Sequence, residues 1–236
     1  MRSLLIAVTL LASTLAAEAQ QCADLWQKSS FAELQVSRVT AGSERLPFTL
    51  ADCALTKPGA CRSKAFVMPG DVVLVGQVFD ASACAAFVNT MGQVTTGLLP
   101  NNRLESVRPL PRSVPAELVG TWKRTEAEIV VKPKGRDGML AFAGNATYGA
   151  FDKGRVARGA VNLGEFSFDM KPASNAVAVA LTTNKTGDTV AVAQDTGDAT
   201  DCAVAMIALG PYLAVEDNRN CGGHNVSFTG LYRRAK

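Results

Sequence analysis

One histidine occurs in the chain, His224, within the stretch CGGHNVSFTGLYRR (residues 221–234). Imidazole is the side chain best suited to proton transfer near neutral pH, and Ser-His-Asp or Cys-His hydrolases hold it as a base oriented by a third group. As the sole imidazole, His224 would have to be that base. No Gly-x-Ser-x-Gly elbow accompanies it anywhere in the chain. Its neighbours read instead as a turn beside a structural cysteine, with Gly222 and Gly223 supplying positive-φ freedom. The expectation is that His224 is incidental and that the protein is not an enzyme.

Two other sets of charged residues have spacings that invite chemistry. Asp195, Asp198 and Asp201 recur every third residue, but a calcium loop of the EF-hand type needs D-x-D-x-D-G and a distal Glu, which this run lacks. It reads as turn sequence, and no metal or cofactor is expected. Lys132, Pro133, Lys134, Gly135 and Arg136 form a basic run on an expected hairpin loop, so Lys132, Lys134 and Arg136 are candidate contacts for an acidic partner or polymer. A carboxylate pair for glycoside hydrolysis is set by distance in space, and nothing in the sequence singles one out.

The remaining reactive side chains are six cysteines: Cys22, Cys53, Cys61, Cys84, Cys202 and Cys221. The compartment decides how they read. Arg2, the apolar run Leu4 to Leu15 and Ala17-Glu18-Ala19 have the layout of a cleavable signal peptide over residues 1–19. The residues before Cys22, Ala-Gln-Gln, are not those of a lipid-attachment site. No later run reaches the ~18 apolar residues of a spanning helix, so no integral membrane segment is expected. A periplasmic or secreted location follows, where disulfides persist. Proximity along the chain suggests Cys202 with Cys221 across a hairpin and Cys53 with Cys61 across a short loop, leaving Cys22 with Cys84. Six cysteines allow fifteen pairings in all. Lys and Arg number 24 against 21 Asp and Glu. That balance is similar in both halves of the chain, and it argues against nucleic acid and anionic membrane as partners.

The elements that must position these residues are short. Ala23 to Val36 is the one segment with helical character. Downstream, apolar alternation broken by turn residues marks an all-β chain. Strands are expected at 64–68, 72–79, 83–89, 94–99 and 104–107. Pro109, Pro111 and Pro115 then form a stiff connector over 109–115. Beyond it, from Val119-Gly120-Thr121-Trp122, eight further segments (128–132, 138–144, 165–170, 176–182, 189–193, 202–209, 212–216, 225–233) suggest an eight-stranded up-and-down barrel. Residues 184–188 and 209–211 read directly as hairpin turns. Two domains with separate cores are expected: a short helix plus a small barrel over 20–108, and a second barrel over 116–236.

PGDVVLV, CAAFV, TTGLLP and NNRL together resemble the bacterial SH3-like domain over about residues 44–107, with Leu98 where that family carries tryptophan. The opening Gly120-Thr121-Trp122 and closing Gly230-Leu231-Tyr232-Arg233-Arg234 resemble the calycin pattern. That resemblance implies an early Trp122 packed under Arg233 or Arg234 of the last strand, with Gly120 and Tyr232 completing the barrel's end. The same half is similar to the C-terminal domain of secreted lysozyme-inhibitor-type proteins, through Cys202, Leu213-Ala214-Val215, Cys221-Gly222-Gly223 and Gly230-Leu231-Tyr232. No catalytic residues are implied by it.

These readings lead to an exported binding module of the bacterial envelope that recognises cell-wall material or another exported protein. Inhibition of lysozyme-type hydrolases is the alternative from the C-terminal resemblance, although the chain lacks the net acidity that would steer it to a basic enzyme. A hydrolase with dispersed carboxylates is the third. Proline-rich peptide binding is not expected, because residues 44–112 hold only Phe48, Phe66, Phe79 and Phe87 as aromatics, most of them facing inward by alternation.

Overall fold

The structure is a computed structural model that describes residues 22, 25–40, 42, 44–50, 61–107 and 115–235. The expected signal segment, Cys53 and the connector up to residue 114 lie outside the described residues.

Two antiparallel sheets make up the molecule. The first contains β1 (Gln35–Val39), β2 (Leu46–Thr49), β3 (Arg62–Val67), β4 (Val72–Val78), β5 (Ser82–Val88), β6 (Val94–Pro100) and β7 (Leu104–Ser106), in the order β3-β2-β6-β5-β4-β1-β7. The expected helix over Ala23 to Val36 is not there. Lys28–Ser30 form one 3-10 turn, and Gln35 and Val36 already belong to β1. A helix this short is marginal alone, whereas Gln35-Val36-Ser37-Arg38 finds a ready ladder against Val72 to Val75.

The second sheet contains β8 (Gly120–Arg124), β9 (Ala127–Lys134), β10 (Met139–Tyr148), β11 (Asn162–Met170), β12 (Ala176–Thr183), β13 (Thr189–Ala193), β14 (Cys202–Leu209), β15 (Tyr212–Asp217) and β16 (Gly230–Arg234). A five-residue helix, α1 (Lys153–Ala157), interrupts the β10–β11 connection. Both hairpins read from the sequence form: β12 pairs with β13 around 184–188, and β14 with β15 around 209–211. The first and last strands of this half also pair, with Arg234 opposite Trp122.

The sheet has nine strands rather than eight, and its order is β11-β10-β9-β8-β16-β15-β14-β12-β13. The β12–β13 hairpin is therefore turned over relative to an up-and-down path. Every ladder in the sheet is antiparallel, so stepping along that order makes β11 and β13, the two edges, run the same way. An odd number of strands cannot close with antiparallel pairs throughout. The barrel is nearly closed, with a seam between β11 and β13. A single antiparallel bridge from Gly222 to Gly164 sits on the β11 edge, and the Gly223 amide donates to the Leu163 carbonyl at 2.9 Å.

Gly222 is a glycine for space. A Cβ there would lie 2.5 Å from the Gly164 Cα, and a Cβ on Gly164 would lie 2.7 Å from the Cys221 carbonyl oxygen. This corrects the expected role of the pair: neither Gly222 nor Gly223 has positive φ, which in this loop falls instead to Arg219 and Asn225 at 64° each. With Asn225 left-handed, the last strand starts at Gly230 rather than 225.

Three apolar cores result where two were expected. One fills the second barrel with Trp122, Phe142, Phe166, Phe168, Met206 and Phe228. Another lies within the first sheet, around Phe48, Val73, Val75 and Leu99. The third joins the sheets, drawing Leu25, Leu34, Leu74 and Val88 from one half and Ile207, Tyr212, Ala214 and Leu231 from the other. The apolar runs VVLV, CAAFV, CAVAMIAL and YLAV are continuous because these strands are buried on both faces. In β14, for example, Val204 and Met206 face the barrel while Ala205 and Ile207 face the other sheet. Hydrogen bonds reinforce the joint. The Tyr212 hydroxyl donates to the Val72 carbonyl, and Arg233 Nη1 donates to the Val88 carbonyl at 2.7 Å.

Candidate binding site

The edge strand β3 presents two different faces. Arg62, Lys64 and Phe66 are exposed, while Val67 turns fully into the core. Period-2 geometry puts the three exposed side chains on one face, about 7 Å apart along the strand. Neighbouring β2 adds Pro47 opposite Phe66 and Thr49 opposite Arg62, with a register shift between them. Arg45 leads into β2, and its guanidinium carbon sits 5.3 Å from the centre of the Phe66 ring.

Together Glu44, Arg45, Pro47, Arg62, Ser63, Lys64 and Phe66 line an open cleft of about 650 Å³. Three cations face one carboxylate. Among the described residues none of these cations forms an ion pair, so each is available to an anionic ligand. Phe66 remains 41% exposed, a flat apolar surface beside the charges. This is recognition chemistry: a stacking face flanked by charged donors. Comparison with protein-family models, curated proteins and solved structures finds no match. The site therefore rests on its own geometry.

The expected disulfides are present where the residues are described. Cys202 and Cys221 are bridged with Cα atoms 4.6 Å apart, and Cys22 and Cys84 with Cα atoms 5.0 Å apart. Cys61 is disulfide-bonded, and its expected partner Cys53 lies outside the described residues. The barrel clasp also forms, with one correction. Arg234, not Arg233, covers Trp122, its guanidinium carbon 4.0 Å from the ring centre. Arg234 Nη2 donates to the Glu117 carbonyl at 2.6 Å, and Trp122 Nε1 donates to the Leu118 carbonyl at 2.8 Å. Burial lowers the Arg234 pKa, an effect opposed by Glu117. Arg233 points the other way, to the joint between the sheets, above Phe87. Gly120, expected to help complete this end, runs beneath the Arg234 guanidinium: a Cβ on it would lie 2.7 Å from Nη1.

The basic run is less concentrated than it reads. Lys132 and Lys134 belong to β9, the turn starts at Gly135, and Lys134 is paired with Asp169. His224 is exposed in a cleft of about 550 Å³ shared with Tyr148, Arg219 and Ser227. The Ser227 hydroxyl donates to Asp217 Oδ1 at 2.7 Å, so its proton is directed away from any base role for His224. Asp198 and Asp201 cap their own loop: the Asp198 carboxylate accepts from the Thr200 amide at 3.0 Å, a bond that lowers its pKa, and Asp201 accepts from the Asp198 amide at 2.9 Å.

The sequence reading missed Arg45, Arg62 and Phe66. Its strand began at Lys64, which hides the Arg-x-Lys-x-Phe repeat that begins two residues earlier. Phe66 was expected to face inward and instead faces out.

Proposed function

We propose that the protein is a non-enzymatic, extracytoplasmic binding module that holds anionic cell-wall material through the β2–β3 cleft. The single observation behind this reading is the unpaired set Arg45, Arg62 and Lys64 around the exposed Phe66 ring. Guanidinium and ammonium groups suit the carboxylates of wall peptides, and an exposed ring suits the apolar face of a sugar. Two disulfides fit an oxidising compartment, and no helix among the described residues is long and apolar enough to cross a membrane. Lysozyme inhibition gains no support from this cleft, since its excess positive charge would repel a basic enzyme.

Pull-down with purified peptidoglycan tests the reading. Retention should fall steeply with added salt. R62E/K64E should lower it roughly tenfold or more, at about fivefold per exposed charge contact. Undiminished retention by that variant, or none by the native protein, sinks the proposal.

A further inference from the structure

We propose that the tip between β10 and β11 is a bilayer-contact loop that seats Phe151 in the headgroup region of an anionic membrane. The proposal is independent of the β2–β3 cleft, which lies on the other sheet. Phe151 is 76% exposed and Val156 is 52% exposed on the loop itself, and Leu163 is 69% exposed just inside β11. Single exposed hydrophobes are ordinary on a protein surface. Three at one hairpin end, two of them within six residues, form a concentration that suggests a contact site.

The loop is held in shape by polar contacts rather than by burying these side chains. Asp152 Oδ1 caps α1, accepting from the Gly154 amide at 2.8 Å and the Arg155 amide at 3.1 Å. The Ala150 amide donates to Glu126 Oε1 at 2.7 Å. The Arg155 guanidinium carbon sits 4.6 Å from the centre of the Tyr148 ring, which anchors the loop to the barrel's end. Phe151 is thus presented to solvent on an ordered scaffold.

Charge selects the occupant. Between residues 149 and 161 the chain carries Lys153, Arg155 and Arg158 against a single carboxylate, Asp152. Arg155 is held by the Tyr148 ring and lies 3.9 Å from Asp152. Lys153 and Arg158 are exposed, and among the described residues neither is ion-paired. An apolar tip set among free cations matches the boundary of a bilayer, where the ring enters the acyl edge and the cations meet lipid phosphates. The even balance of charge along the chain, which argues against an anionic membrane, averages this local excess away.

The experiment uses the processed protein recovered from the extracytoplasmic fraction, mixed with vesicles of phosphatidylcholine alone or with one-third phosphatidylglycerol. In F151W, tryptophan emission should shift to the blue on adding the anionic vesicles and much less with the neutral ones. In co-sedimentation, F151S should lose most of its bound fraction. K153E/R158E should bind roughly 30-fold more weakly than native, at about fivefold per charge. Unchanged thermal melting of each variant shows that the fold is intact. Unshifted F151W emission overturns the proposal, and so does co-sedimentation that persists in F151S and K153E/R158E, which would place contact on another surface such as the β3 face.

Discussion

Asp217 and Tyr232 bind the two ends of the β15–β16 connection. One oxygen of Asp217, Oδ1, accepts from Ser227 Oγ at 2.7 Å, from the Thr229 amide at 3.0 Å and from Thr229 Oγ1 at 2.5 Å. Tyr232 is fully buried and donates to the Phe228 carbonyl at 2.8 Å. Burial pushes the Tyr232 hydroxyl from 10.0 up to about 12, against the favourable field of Arg124. Below pH 10 the hydroxyl is neutral in folded and unfolded chains alike, so stability is unaffected. Above pH 10 the unfolded chain ionises first, and stability drains away until the folded pKa is passed. Tyr232 should therefore cost about 3 kcal/mol between pH 10 and 12, with buried Tyr212 acting in the same direction. Urea midpoints measured across that range should fall, and Y232F should fall less steeply. Parallel slopes in the two proteins would contradict this account. Sequence could suggest a Trp122 clasp from GLYRR but left two arginines open. Alternation settles it: Tyr232 and Arg234 share the barrel face, while Leu231 and Arg233 share the joint. Asp217 was invisible because its partners lie ten and twelve residues away on an irregular segment.

Among the elements, the Cys221–Gly223 segment is the one that manages the seam. It supplies an antiparallel contact on the β11 edge, and the Cys202–Cys221 bridge ties it to β14. C202S/C221S opens a ring of about 20 residues and should cost about 3 kcal/mol. With the bridge intact, G222A should also destabilise, by about 1–3 kcal/mol as for other overpacked sites, because the obstacle is the Gly164 backbone. Denaturant unfolding measures both, and a native-like G222A would mean that the plug does not press on β11. Hairpins were legible because their information is local: the Asn184 carboxamide oxygen accepts from the amides of Thr186 and Asp188 within its own turn. The position of β13 at the edge was not legible, since Thr189–Ala193 alternates equally well beside either neighbour. The misread helix has the same cause in reverse. Gln35–Val39 takes its conformation from a partner, β4, that local propensity cannot see.

The whole molecule behaves as two sheets sharing a third core. Neither described disulfide spans the halves, since Cys22–Cys84 and Cys202–Cys221 each stay within one. Apolar burial and the Tyr212 and Arg233 hydrogen bonds hold the halves together. Tryptic cleavage at Arg108 or Arg112 should thus give two fragments that co-elute in gel filtration, and Y212F/R233A should weaken their association. Separate elution of the native fragments would show the joint to be weaker than its burial implies. The halves themselves were legible from turn spacing. Their joint was written in the continuous apolar runs, which look like ordinary strands until both faces are given something to cover. One feature of the barrel also sets a timetable. Gly120–Arg124 leaves the ribosome early, yet its second neighbour is Gly230–Arg234, made more than a hundred residues later. Until that last piece arrives, β8 keeps one raw edge and Trp122 has no lid. A chain cut short in synthesis is thereby marked as unfinished, presenting the sticky strand by which quality control knows it.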